Sequence, residues 1–192
     1  MRHAHEHGVI VGRKAARYDR LSGFALRWLY RRAVDRVTDG LPADASVLDV
    51  GTGPGQLPLE LANRRQDVRV IGIDPSSDMV RHATNRITAA GLADRVQARE
   101  ASAEELPFAD GSFDAVVSTL SAHHWADVGA AITEQARVVR PGGALWVFDL
   151  RGKSPATVPQ ALRKHFGPDA VSRSTLGRLA GAFIVCYRAV RT

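Results

Sequence analysis

From Ala45 onward, short and almost continuous apolar runs alternate with longer segments whose apolar residues recur at helical spacing. The runs predict strands over Ser46–Val50, Val68–Ile73, Arg95–Glu100, Phe113–Ser118 and Ala144–Asp149. Helices are expected between them over Gly55–Arg64, Ser76–Ala90 and Val128–Val139, with a short turn near Ala103–Leu106. Runs such as VLDV, VRVIGI and FDAVVS suit strands covered on both faces, as a parallel sheet requires. Strands that alternate with helices of this length predict βαβ units. After Asp149 come a helix over Pro155–His165, a weaker strand over Ala170–Ser174 and a strong β pattern over Ala182–Arg191. No helix separates the last two, so an antiparallel pairing is expected. The result is an α/β fold of about seven strands, mostly parallel, with the last strand reversed and helices on both faces. Upstream, Leu21, Phe24, Ala25, Trp28, Leu29, Val34 and Val37 mark an amphipathic helix over Leu21–Val37.

Composition narrows the class. The 192 residues suit one domain, with 1–40 read as a tail and lid helices ahead of a ligand-binding unit over 41–192. The single cysteine, Cys186, rules out an intramolecular disulfide framework. No apolar run is long enough for a membrane span, and the opening MRHAHEHG lacks the apolar stretch of a secretory signal. A cytoplasmic location is therefore expected. Charge is uneven: Met1–Ser46 holds 9 Lys/Arg against 5 Asp/Glu, Val47–Leu150 holds 9 against 14, and Arg151–Thr192 holds 8 against 1. Basic flanks around an acidic middle suit either solvated helix faces rich in arginine or a rim that attracts an anionic acceptor or RNA.

The chemistry concentrates in VLDVGTGPGQL, Val47–Leu57, where a buried strand runs through Gly51, Gly53 and Gly55 into a helix. Glycines there let the backbone turn sharply and come close to a ligand. A dinucleotide fingerprint would place its third glycine at position 56, which is Gln56. Asp49, two residues before the first glycine, would repel a pyrophosphate and suits a ligand bearing an amino group or positive charge. The next strand ends in Asp74, placed to accept hydrogen bonds from two ribose hydroxyls, or else to cap the helix that follows. Pro75 and Met79 stand where an apolar wall for a base would be needed.

VLDVGTGPG, VIGIDPSSDMV, AEELPFADGSFDAVVSTLSAHHW and RVVRPGGALWVFD, in this order over Val47–Asp149, resemble the class I S-adenosylmethionine-dependent methyltransferases. The resemblance is to the small-molecule branch that includes the ubiquinone/menaquinone-biosynthesis C-methyltransferases. It implies a Rossmann-like fold, S-adenosylmethionine as cofactor and S-adenosylhomocysteine as product. Gly51, Gly53 and Gly55 would wrap the methionine end, with Asp49 near its amino group and Asp74 on the ribose. Thr52, Gln56, Pro75, Met79, Ala103, Glu104 and Thr119 complete the implied set. Family members carry an acid before the Ala-Glu of the third motif; here it is Ser102, whose hydroxyl can also accept a hydrogen bond. Tyr18, ahead of the first helix, is the candidate lid residue.

Methyl transfer asks the protein chiefly to place the acceptor in line and exclude water, with a base needed only where the acceptor loses a proton. His123 and His124, after the fourth strand, are the candidate catalytic residues, balanced against a role in shaping that loop; His82 falls mid-helix. Trp125 reads as a packing residue. An N/D-P-P-Y/F motif after the fourth strand is absent, and so are the carboxylates a metal-dependent catechol-type enzyme would want there; no metal site is expected. His3, His5 and His7 read as a tail. The expected acceptor is a small molecule methylated at carbon, oxygen or nitrogen, in a pocket that a homodimer could complete. An RNA or protein acceptor, and a binding protein without turnover, are the alternatives.

Overall fold

The computed structural model describes residues 27–179 and 182–192. Tyr18 and the expected beginning of the first helix lie outside them.

Helix α1 (Arg27–Thr38) is followed by β1 (Ser46–Val50), α2 (Gln56–Arg64), β2 (Arg69–Asp74), α3 (Ser77–Ala89), β3 (Val96–Glu100) and β4 (Phe113–Thr119). A 3-10 turn (Ala122–His124), α4 (Val128–Val138), β5 (Val139–Leu150), α5 (Thr157–Phe166), β6 (Val171–Leu179) and β7 (Ala182–Val190) complete the described chain. The strands form one sheet in the order β3-β2-β1-β4-β5-β7-β6. β1 to β5 pair in parallel, and β7 runs antiparallel between β5 and β6. The seven-stranded sheet with its reversed last strand is the architecture the hydrophobic pattern predicts.

Alternate residues of each strand enter opposite layers. Val47, Val70, Val117, Phe148 and Ile184 pack under α1 and α2, whereas Leu48, Val116, Val147 and Val185 pack under α4 and α5. Helix ends are set by local chemistry. Ser76 caps α3 by accepting from the Met79 N–H, and Asp127 caps α4 by accepting from the Ala130 N–H. Arginines hold several helix ends. Arg191 donates to the carbonyls of Ala136, Arg137 and Val139 at the end of α4, and Arg95 donates to those of Ala62 and Arg65 at the end of α2. These two arginines thereby pair carbonyl groups that a helix leaves free.

Most boundaries lie within two residues of the pattern, and two differ by more. β5 begins at Val139, five residues before the expected Ala144, because Val139 pairs with Phe113 ahead of a shift in register. β6 extends to Leu179, past the expected Ser174, through an irregularity between Thr175 and Gly177. Its polar SRS stretch belongs to an edge strand, whose solvated face leaves little apolar signal.

Leu29 of α1 is completely buried in the layer shared with α2. Leu29→Ala should lower unfolding free energy by about 3 kcal/mol. Urea melts would check this, with the midpoint falling and the slope unchanged.

Candidate cofactor cleft and histidine loop

The cleft is built on the turn after β1. The N–H groups of Gly51 and Thr52 both donate to the Ile73 carbonyl, at 2.9 and 2.8 Å, so the turn folds over the tip of β2. The Asp74 carboxylate then closes the turn, accepting from Gly53 N–H at 2.9 Å and from Ser76 N–H at 3.0 Å. The cap of α3 is thus Ser76, and Asp74 is not a helix cap. Gly51 has φ +75°, and a Cβ there would stand 2.2 Å from Ser121 Oγ. Backbone conformation and the close approach of the β4 loop both demand glycine at that position.

Around this turn the structure brings together Gly51, Thr52, Gly53, Asp74, Pro75, Met79, Ser102, Ala103, Glu104, Thr119 and His124 as walls of one cavity. Four expected residues do not line it. Gly55 takes φ +78° as it starts α2, where it lies against Ala83 of α3. The Gln56 amide is turned aside, accepting from Arg86 at 2.7 Å and donating to Glu60 at 3.3 Å. His123 is not among the wall residues, and its ring lies 4.1 Å from that of His124. Asp49 lies beneath the turn and is 2% exposed. Burial pushes its carboxyl up to about 7; the Thr52 hydroxyl works against this rise and Asp74 adds to it. Tyr30, Ile73, Leu120, Ser121 and Trp125 also line the cavity, although the sequence reading did not assign them to a ligand. Tyr30 is masked in the sequence by the amphipathic pattern of α1.

The donor set fits a nucleoside with vicinal hydroxyls. Each Asp74 oxygen holds one backbone N–H and keeps a lone pair for a second donor. Burial raises the Asp74 pKa, and the two N–H groups oppose that rise. The Thr119 hydroxyl is buried in the cavity wall without a partner among the described residues. Ile73, Pro75 and Met79 supply the apolar wall.

Beyond β4 the chain passes through Leu120, which holds φ +55°, a conformation uncommon for a residue with a side chain. Ser121 then ties the loop down. It donates to the Val50 carbonyl at 3.0 Å and receives the Trp125 indole N–H at 3.1 Å. On the 3-10 turn, His123 Nδ1 lies 2.8 Å from Oδ1 of Asp149, at the end of β5. Asp149 is completely buried. Its Oδ1 also accepts the Leu150 N–H, and its Oδ2 has no partner among the described residues. The His124 ring sits 4.1 Å from that of His123. Burial lowers the His124 pKa, the neighbouring His123 lowers it further, and Asp149 pulls the other way. Among the described residues no cluster of His, Cys, Asp and Glu could hold a metal. Cys186 is buried in β7, and burial pushes its thiol up to about 11.

A methyltransferase domain model matches residues 48–147. The chain is 40% identical to the demethylmenaquinone methyltransferase of Thermus thermophilus over 140 residues, 70% of this chain and 61% of that protein. The chain belongs to the S-adenosylmethionine-dependent methyltransferase family. It is also 41% identical to the 27-O-demethylrifamycin SV methyltransferase of Amycolatopsis mediterranei over 128 residues, 65% of this chain and 47% of that one. It spans about half of the length of these curated relatives. Among solved structures, a SAM-dependent methyltransferase from Aquifex aeolicus shares the fold with a TM-score of 0.71 and 20% identity, covering 92% of this chain and 98% of its own. The Rossmann-like class implied by the four motifs is therefore the class observed. Among the described residues no helix is long and apolar enough to cross a membrane.

Asp49 gives this methyltransferase fold a pH signature. Its carboxyl titrates near 7 in the folded chain and near 3.8 when exposed, so it adds stability below about pH 4 that is lost as pH rises to about 7. Asp49→Asn should remove that loss. Thermal melts from pH 4 to 9 should show the variant gaining on the parent up to about pH 7 and holding a constant lead above it.

Proposed function

We propose that this chain transfers a methyl group to a small molecule bearing an ionisable hydroxyl, with His123 receiving the hydroxyl proton. The observation that carries this reading is the His123–Asp149 pair. A carboxylate can only accept, so Nδ1 carries the hydrogen and Nε2 presents a bare lone pair. The buried Asp149 fixes the ring's orientation and leaves Nε2 as the accepting nitrogen. His124 reaches the cavity in its neutral form, since burial and His123 both disfavour its charge. It therefore adds no positive charge beside a cationic cofactor.

The cleft supports S-adenosylmethionine as the cofactor. When bound, it supplies an electrophilic methyl on a sulfonium, with S-adenosylhomocysteine as product. Asp74 would hold the ribose hydroxyls, Gly51 to Gly53 would lie along the methionine end, and Trp125 and Tyr30 would exclude water. The acceptor oxygen, once relieved of its proton, would be the nucleophile toward that methyl, and in a hydroquinone the same deprotonation would activate the ring carbon. The names of the two relatives cover both outcomes, one a demethylmenaquinone methyltransferase and one a 27-O-demethylrifamycin SV methyltransferase. Small-molecule acceptors are favoured over RNA because arginines in the basic flanks are already engaged. Arg27 and Arg31 face Glu60, Arg36 donates to Ser174, and Arg191 caps α4.

At 100 times its dissociation constant, S-adenosylhomocysteine should stabilise the protein by about 2.7 kcal/mol and raise Tm, whereas NAD should not. Asp74→Ala should abolish most of the rise; an undiminished rise would refute the ribose assignment. With demethylmenaquinol and 27-O-demethylrifamycin SV as trial acceptors, His123→Ala should lower kcat by about 100-fold or more, leaving cofactor affinity intact. Unchanged turnover in that variant would refute the base.

A further inference from the structure

Helix α1 packs on α2 and reaches the cavity through Tyr30, which is buried in the wall. Leu29, Ala33 and Val37 hold the body of the helix by apolar packing. Its first two turns carry a polar tie as well. Arg27 and Arg31 share one face, and each brings its Nε toward Glu60 of α2, at 3.5 and 3.8 Å. Like charges at this spacing repel, and the carboxylate between them offsets that repulsion. Both arginines are more than half exposed, whereas the Glu60 side chain is mostly covered.

The same carboxylate is also held from the side of the cavity. Gln56, one turn earlier in α2, donates to Glu60 Oε1 at 3.3 Å. The Gln56 side-chain oxygen accepts from Arg86 of α3 at 2.7 Å, and Arg86 donates to the Pro54 carbonyl at 2.9 Å. Pro54 belongs to the turn after β1 and lines the cavity. An unbroken polar chain therefore runs from α1 to the turn that faces the ligand. Apolar packing is non-directional, but each of these bonds weakens steeply with angle, so the relay ties the setting of α1 to that of the turn. Gln56 stands outside the cavity wall because it is a link in this chain.

We propose that Glu60 is a positioning residue that couples α1, and with it Tyr30, to the ligand-facing turn, so that closure of the helix and retention of the ligand support each other. This rests on the reading of the cleft as the S-adenosylmethionine site. A ligand that fixes the turn fixes Pro54, Arg86 and Gln56, and these hold Glu60 in place for Arg27 and Arg31. Coupling of this kind is reciprocal, so a loosened tie at Glu60 weakens binding by the same factor. The tie ends in exposed charges and is therefore screened by salt. S-adenosylhomocysteine has no net charge at neutral pH, which places such a salt effect in the protein. One turn further along both helices, Asp35 and Arg64 form another ion pair at 3.3 Å, and neither lines the cavity. That pair joins the same two helices without the relay, and so serves as the control.

Isothermal titration calorimetry with S-adenosylhomocysteine tests the coupling, at about 0.01 M and about 1 M sodium chloride, where the screening length falls from about 30 to about 3 Å. Glu60→Gln keeps an oxygen for Gln56 and removes the charge. It should bind about fivefold more weakly than the parent at low salt, and the two should converge at high salt. Asp35→Asn should bind as the parent does at both. The double variant Arg27→Gln/Arg31→Gln removes the tie from the other helix and should reproduce Glu60→Gln; it decides the matter if melting curves show Glu60→Gln to be misfolded. Parental affinity at low salt in Glu60→Gln, or an equal loss in Asp35→Asn, would overturn the coupling and leave the cofactor reading standing. A parent protein that fails to bind S-adenosylhomocysteine would overturn both.

Discussion

The cleft exists because one turn clasps the end of the neighbouring strand. Two successive N–H groups, from Gly51 and Thr52, share the Ile73 carbonyl, and the next residue but one after Gly51 donates to the Asp74 carboxylate. This arrangement needs the parallel register of β1 and β2, in which Val50 stands beside Ile73. It also needs Gly51 to lack a side chain, since Ser121 occupies the space a Cβ would take. Ser121 bonds the Val50 carbonyl in turn, so the loop that carries the histidines is referenced to the same turn that forms the cofactor wall. A shift in any one of these groups would move both sides of the cavity together.

The motif glycines illustrate how much of this was legible beforehand. Glycine spacing, followed by an acid at the tip of the next strand, pointed to a turn and its partner, and Gly51, Gly53 and Asp74 meet in space as that pattern implies. Spacing could not show that Gly55 serves the start of α2 and its approach to α3. Nor could it show that Gln56 is held by Arg86, 30 residues away. Asp49 follows a related logic. Its place at the strand end was visible, but its depth depends on the layer that α1 and α2 build over it. Strand alternation marks the layers, whereas the far end of β6 leaves no apolar pattern because it belongs to a solvated edge strand.

Asp149 is the most instructive omission. It is 26 residues from His123 and closes VFDL, a stretch that reads as an ordinary strand end. A signal was nevertheless present, because β1, β2 and β5 each carry an acid at or near the carboxyl tip, in Asp49, Asp74 and Asp149. Open α/β sheets bind ligands beyond those tips. Three acids in equivalent positions therefore mark one edge of the sheet, and His123 is the residue of the β4 loop that meets the third.

The three acids also differ in what surrounds them, and this separates their tasks. Asp74 keeps lone pairs toward the cavity and is suited to a neutral donor such as a hydroxyl. Asp49 is buried beneath the turn, where loss of its proton is opposed near neutral pH by desolvation. Asp149 is as deeply buried, yet it faces an imidazole at 2.8 Å and a backbone N–H at 2.8 Å. These two donors fix its place, and the carboxylate oxygen beside Nδ1 gives His123 a fixed tautomer. Burial by itself would have made these groups alike. Their partners, each contributed by a different segment of the chain, make one a cavity-facing acceptor, one a buried support and one the orienting partner of an imidazole.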